Sequence, residues 1–233
     1  MSEKAAFEKY EFKPFFGSSH AWALNKIKNF ESNSIILDVG PGKGDLSQYI
    51  KDHGNSNLHA IEIDPPTIKF LEDKKIYINI FQSIDSITEL SFDSILLLDV
   101  LEHMPDPINF LNNIVEKLNP DGTILISVPN IAHWSIRLSL LFGYFEPAER
   151  GILDKTHLQY FTKRRILNCC NNFNNLSITE YKVSIEPLEF VLPSFITNTS
   201  FFNKARNIQE HIAQILPGLF GYQHLIMLKK NLK

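Results

Sequence analysis

Apolar residues along this chain fall into short, nearly unbroken runs separated by stretches with helical spacing. The runs at 34–39, 58–63, 76–81, 92–99 and 123–128 are rich in Ile, Leu and Val and predict buried strands. Between them 45–52, 66–72 and 107–118 predict helices, and this alternation argues for a mostly parallel sheet. Pro120-Asp121-Gly122 predicts a turn just before Thr123, and two later strands are predicted at 177–185 and 223–229. Residues 1–30 read as a helical lead-in, with Ala21-Trp22-Ala23-Leu24 and Ile27 near helical spacing and Ser18 or Ser19 placed to cap. A further helix starts near Thr162 and ends at Cys169-Cys170-Asn171-Asn172-Phe173, where Asn172 suits a left-handed terminus.

Two stretches interrupt the alternation. Residues 130–162, with helix-like Trp134 to Phe142, and residues 186–222 are too long for ordinary loops. Both are expected to form a cap over an acceptor, with plain packing or dimerisation as the other role open to them. The 233 residues suit a single α/β domain with such insertions, and a hydrophobic share of 44% is ordinary for a globular protein.

The first strand breaks into Asp38-Val39-Gly40-Pro41-Gly42-Lys43-Gly44, and Glu62 ends the second, 18 positions after Gly44. That separation is close to the ~20 residues typical of nucleotide-binding folds. The third glycine comes one residue too early for a G-x-G-x-x-G dinucleotide loop, which counts against NAD or FAD. Lys43 is followed by Gly44 and Asp45, so no Ser or Thr hydroxyl stands where a P-loop needs one. A strand-end carboxylate such as Glu62 can accept from both hydroxyls of a ribose, so an adenosine-containing cofactor is expected.

A formal net charge of -3 leaves no basic footprint for a nucleic-acid backbone, and no nucleic-acid partner is expected. Cys169 and Cys170 are the two cysteines and are adjacent, which excludes a disulfide framework or a cysteine-rich zinc site. The first residues lack the features of a signal peptide and no apolar run reaches ~18 residues, so the expectation is a cytoplasmic protein without a transmembrane segment.

Three motifs occur in order: Leu37-Asp38-Val39-Gly40-Pro41-Gly42-Lys43-Gly44, then Ala60-Ile61-Glu62-Ile63-Asp64-Pro65, then Phe92-Asp93-Ser94-Ile95 leading into Asp99-Val100-Leu101-Glu102-His103-Met104-Pro105-Asp106-Pro107. In these the chain resembles the class I S-adenosylmethionine-dependent methyltransferases. The resemblance implies an α/β, Rossmann-like, mostly parallel seven-stranded sheet of order 3-2-1-4-5-7-6, with helices on both faces. It implies S-adenosyl-L-methionine as cofactor and S-adenosyl-L-homocysteine as product. Backbone contacts are expected from Gly40, Gly42 and Gly44, with Asp38 organising the loop or the methionine end and Glu62 holding the ribose. Ile63 would flank the adenine. Gln82 and Ser83 stand where relatives often carry Gly-Asp-Ala, so Gln82 either reads the adenine amino group or is a plain surface residue. Asp99, Val100 and Leu101 are expected to line the methionine side.

Methyl transfer from a sulfonium needs in-line positioning and, for a hydroxyl acceptor, a group to take the proton. Three histidines are candidates: His103, His133 and His157, each also suited to a structural hydrogen bond. His157 is the first choice as base, because Val128 to Leu138 and Gly151 to Thr162 resemble a subgroup associated with glycan and cell-envelope biosynthesis, and also the ubiquinone-pathway O-methyltransferases. Asp154 and Glu102 form no recognisable ligand spacing, so no metal is expected. The leading expectation is methylation of a small-molecule hydroxyl, first of a sugar or glycan intermediate and next of a quinone or phenol. A non-catalytic module of the same fold is the alternative from another class, and assembly as a homodimer stays open.

Overall fold

The computed structural model describes residues 12, 14–190 and 192–231. Seven strands form one sheet: β1 (Ile36–Val39), β2 (Leu58–Ile61), β3 (Asn79–Phe81), β4 (Phe92–Leu98), β5 (Leu118–Pro129), β6 (Leu176–Val183) and β7 (Gln223–Lys230), in the order 3-2-1-4-5-7-6. The first five strands run parallel, and β7 runs antiparallel to both β5 and β6. The topology expected from the resemblance is therefore the one found.

The central strands β1, β2 and β4 are largely buried on both faces because helices cover each. On one face α1 (Ser19–Ile27) and α2 (Asp45–Asp52) send Trp22, Ala23, Leu24, Ile27, Leu46 and Ile50 against Ile36, Leu58, Leu96 and Leu125. On the other, α4 (Pro107–Glu116) and α6 (Lys163–Asn171) pack Leu111, Ile114, Ile166 and Cys170 against Leu37, Ile95, Leu97, Ile124 and Ile126. Neighbouring residues of one strand thus serve opposite layers, as the period of two requires. The helix α3 (Pro65–Lys74) follows β2, with its first turn capped by the Asp64 carboxylate accepting from Thr67 N. Ser18 caps α1 by accepting from Ala21 N at 3.0 Å, the role expected of it; residues 1–11 of the anticipated lead-in lie outside the described residues.

Two local expectations are corrected. Pro120-Asp121-Gly122 lies inside β5 rather than before it. Phe92 pairs with Leu118 and Ser94 with Thr123, so residues 119–122 loop out opposite Asp93 alone, and Asp121 takes a left-handed φ of 62°. The turn chemistry is present, but the ladder resumes on both sides of it. Asn172 is not left-handed: its φ is -69°, and the chain leaves α6 by successive turns that carry Phe173 into the core.

The insertion 130–162 holds α5 (Trp134–Leu141), and 186–222 holds α7 (Ser194–Thr197), α8 (Ser200–Ile215) and α9 (Pro217–Phe220). Among the described residues no helix is long and apolar enough to cross a membrane. Leu97 has no exposed surface and packs at the centre of one layer. Leu97→Ala is expected to cost about 2–5 kcal/mol, read as a lower urea midpoint with an unchanged slope.

Candidate active site

Carboxyl ends of β1, β2 and β4 meet along one edge of the sheet. Past Val39 the chain leaves the ladder with Gly40 N donating to Ile61 O at 2.9 Å, and Gly40, Gly42 and Gly44 all have φ between 55° and 70°. An L side chain rarely tolerates that conformation. Gly44 is also tightly packed: a Cβ there would lie 2.8 Å from Ile76 Cδ1 and 2.9 Å from Leu71 Cδ2. A Cβ on Gly42 would meet nothing within 4 Å, so this part of the loop faces open space.

Asp38 is buried, and its Oδ2 accepts from Ser47 Oγ at 2.6 Å and Tyr77 OH at 3.0 Å. Burial pushes its pKa up to about 6 against these hydrogen bonds, with the charge of Glu62 adding to the rise. Asp38 thus ties the glycine loop to α2 and to the approach of β3. Glu62 curls back so that Oε1 accepts from Ile63 N at 2.8 Å and Asp64 N at 3.0 Å, while Oε2 has no partner among the described residues. Burial raises the Glu62 pKa as well. Ile63 is 77% exposed beside it, an uncovered apolar side chain next to a carboxylate oxygen with room to accept. Gln82 is exposed just past β3; Ser83, also exposed, accepts from Ser86 N at 3.3 Å and caps the short turn Ile84–Ser86.

At the end of β4, Asp99 takes a left-handed φ of 56°. Its N donates to Ser127 Oγ, Ser127 Oγ donates to its Oδ1 at 2.7 Å, and Gln223 Nε2 donates to both its oxygens at 2.7 Å. Val100 approaches the glycine loop, its Cγ2 lying 3.7 Å from where a Cβ on Gly40 would stand. Leu101 is fully buried in the core.

The three histidines separate into two groups. His133 is buried with both ring nitrogens engaged, Nδ1 with Ser135 Oγ at 2.8 Å and Nε2 with Glu186 Oε1 at 3.0 Å. Trp134 Nε1 and Gln209 Nε2 donate to the same Glu186 carboxylate, so His133 holds the two insertions together and is not available as a base. His103 and His157 instead come face to edge, ring centroids 5.0 Å apart, beside Glu102. His103 Nδ1 lies 3.2 Å from Thr156 O and His157 Nδ1 3.1 Å from Ile152 O. A carbonyl only accepts, so each Nδ1 carries the proton and each Nε2 keeps its lone pair. Burial lowers the His157 pKa, and the closeness of His103 adds to the fall. The Glu102 carboxyl is buried and its pKa is pushed well up, first by burial and then by Asp99.

A family model described as a methyltransferase domain matches residues 19–178, which covers the sheet from α1 into β6 and every position just described except Gln223, Glu186 and Gln209. The chain belongs to the methyltransferase-domain family. This chain is 30% identical over 103 residues to a ubiquinone biosynthesis O-methyltransferase of Xanthomonas campestris pv. campestris, a match covering 41% of this chain and 43% of the relative, so it spans less than half the length of that relative. It is 44% identical over 54 residues to ribosomal RNA small subunit methyltransferase A of Prochlorococcus marinus, covering 22% of this chain and 20% of that one. Among solved structures, a SAM-dependent methyltransferase from Archaeoglobus fulgidus superposes with a TM-score of 0.58 at 23% identity, covering 93% and 96% of the two chains. The plantazolicin methyltransferase BpumL, solved with SAH, gives 0.59 at 18% identity over 97% and 85%. These structures share the fold of the methyltransferase across nearly its whole length.

Sequence reasoning missed Ser47, Tyr77, Ser127 and Gln223, the residues that hold Asp38 and Asp99. Each lies on a different element from the carboxylate it serves, and a lone Ser or Gln leaves no mark in a hydropathy pattern. Glu102 sat in the third motif but showed no ligand spacing, because its partner His157 comes from the far side of β5.

Two outcomes follow from this geometry. Gly42→Ala is expected to melt within a few degrees of the parent while losing cofactor affinity, whereas Gly44→Ala, forced into Ile76 and Leu71, should lose about 2 kcal/mol or more; thermal melts beside calorimetric titration check both. Between about pH 4 and 6 the folded protein holds a proton on Asp38 that the unfolded chain has released, because burial lifts this carboxyl from its usual 3.8 to about 6. Stability from this group therefore falls as pH rises through that window. Asp38→Asn should match the parent near pH 4 and exceed it at pH 7.5 by at most roughly 3 kcal/mol, measured by urea unfolding.

Proposed function

We propose that this methyltransferase binds S-adenosylmethionine along the carboxyl ends of β1, β2 and β4 and transfers its methyl group to a hydroxyl of a small acceptor. The observation that carries the reading is the adjacency of two features. The open Gly42 turn and the Glu62 Oε2 suit an adenosine, and the Asp99-Val100 segment joins them to His103 and His157, whose Nε2 lone pairs stand bare. In the transfer the carbon–sulfur bond breaks with its electron pair staying on sulfur, giving S-adenosylhomocysteine. The acceptor oxygen forms the new carbon–oxygen bond, and its proton passes to one of the bare imidazole nitrogens and on to water. Holding donor and acceptor in line supplies much of the acceleration, so no covalent nucleophile is required.

Of the two acceptor classes expected from the sequence, a phenol or quinol has the better support. The insertion that carries His157 exposes Leu138, Leu141, Phe142, Tyr144, Phe145 and Leu158, an apolar and aromatic set suited to a flat ring rather than to a sugar. The relatives named for ubiquinone biosynthesis O-methylation match this chain over less than half their length, and that partial likeness points the same way.

Calorimetric titration with S-adenosylmethionine tests the cofactor half. Saturable binding is expected, weakened about 10- to 100-fold by Glu62→Ala, the loss typical of a hydrogen bond to a charged group. An acceptor screen with catechols, quinols and nucleotide-sugars tests the other half. Turnover confined to sugars would overturn the phenolic assignment, and absence of cofactor binding by folded protein would leave only a non-catalytic module.

A further inference from the structure

Glu102, His103 and His157 each offer one ligand atom, and the three atoms all lie within 4.8 Å of one another. We propose that they form a binding site for a divalent transition-metal ion, at which the acceptor oxygen is held for methylation. The metal site stands on the geometry alone; its use in catalysis rests on the methyl-transfer reading above.

Four observations converge on it. Glu102 is 1% exposed, yet neither of its carboxyl oxygens has a hydrogen-bond partner among the described residues. Buried polar groups are nearly always satisfied, and one that is not calls for a missing partner. Second, both imidazoles are oriented by their Nδ1 atoms bonding backbone carbonyls, Thr156 O and Ile152 O. This is how ligating histidines are commonly held, with the tautomer set from behind and Nε2 presented to the ion. Third, the two segments that supply the ligands are clamped together, since Leu158 N and Gln159 N both donate to Glu102 O, at 2.8 and 2.9 Å. Fourth, the nearest pair is already close: His157 Nε2 and Glu102 Oε1 are 4.0 Å apart. Ligands about 2.1 Å from a metal lie roughly 3.0–3.4 Å from each other, so small side-chain rotations complete the site.

The donor set limits what can bind. Two imidazole nitrogens and one carboxylate favour Zn²⁺, Co²⁺, Mn²⁺ or Fe²⁺ over the all-oxygen preference of Ca²⁺ and Mg²⁺. Asp99, held by Ser127 and Gln223, is not among the three grouped ligands. Three protein ligands leave positions open, the mark of a site that takes a substrate oxygen rather than a purely structural ion. A hydroxyl bound there loses its proton more easily and is fixed in place beside the sulfonium. In the loaded site the histidines act as ligands, and the proton leaves to water.

The full chain, stripped with EDTA and desalted, is titrated with Co²⁺ by visible absorption and with Zn²⁺ by calorimetry, without S-adenosylmethionine. One ion per chain is expected, with affinity falling at least tenfold in Glu102→Gln and in His157→Ala. Affinity for S-adenosylmethionine and the thermal midpoint should stay near those of the parent in both variants. His103→Asn, at a partly exposed position, replaces either variant that fails to fold. Folded parent protein that takes up no stoichiometric ion, or variants that bind Co²⁺ as the parent does, would overturn the site. Ion binding without S-adenosylmethionine binding would uphold it and sink the methyl-transfer reading instead.

Discussion

Four acidic side chains, Asp38, Glu62, Asp99 and Glu102, are drawn to one edge of the sheet, and among the described residues none forms a salt bridge with Lys or Arg. The parallel ladder imposes this, because it brings the carboxyl ends of β1, β2 and β4 to the same side. Burying a charged carboxylate is unfavourable, and the pKa values of Asp38, Glu62 and Glu102 all rise chiefly for that reason, with a neighbouring like charge adding to each. Neutral donors offset part of the cost: Ser47 and Tyr77 for Asp38, two backbone N–H groups for Glu62, Ser127 and Gln223 for Asp99. What remains is an electronegative, partly unsatisfied recess whose natural complement is positive charge. A sulfonium has it, and so does a divalent ion.

The insertions are built around the opposite arrangement, a polar network that is well paired. Glu186 accepts from Trp134 and Gln209 and contacts His133, while Arg206 reaches Gln209 at 2.7 Å and Glu189 at 3.1 Å. Burial of Glu186 raises its pKa, but its partners outweigh that and hold it below the usual carboxylate range. Residues from both insertions therefore share one hydrogen-bonded core. Asn130 Nδ2 donates to Gly221 O at 2.8 Å and anchors that core to the ends of β5 and β7. One strand turn further, Gln223 takes hold of Asp99. Ser184, just before the second insertion, donates through Oγ to Gln223 Oε1, and so braces the residue that holds Asp99.

Much of the sheet was legible because its signals are local. An apolar run ending in Gly-x-Gly-x-Gly can do little but leave a strand by a left-handed turn, and a carboxylate closing the next run is placed at the strand end by the chain itself. Caps such as Ser18 and Asp64 are read from three or four neighbouring residues for the same reason. Errors arose where distant pairing took over. Pro120-Asp121-Gly122 was read as a turn before a strand, but β4 pairs on both sides of it.

The amino-acid sequence by itself determined the alternation of elements, the glycine loop and the position of Glu62, since each depends on backbone preferences and periodicity within a dozen or so residues. Tertiary structure alone decided which histidine is bound up and which are bare. It also decided that Glu102 meets His157, and that Gln223, 124 positions beyond Asp99, holds that carboxylate. Those pairings are set by where the sheet brings separate segments together in space, and no local pattern encodes the distance between two side chains whose connecting chain winds across the whole fold.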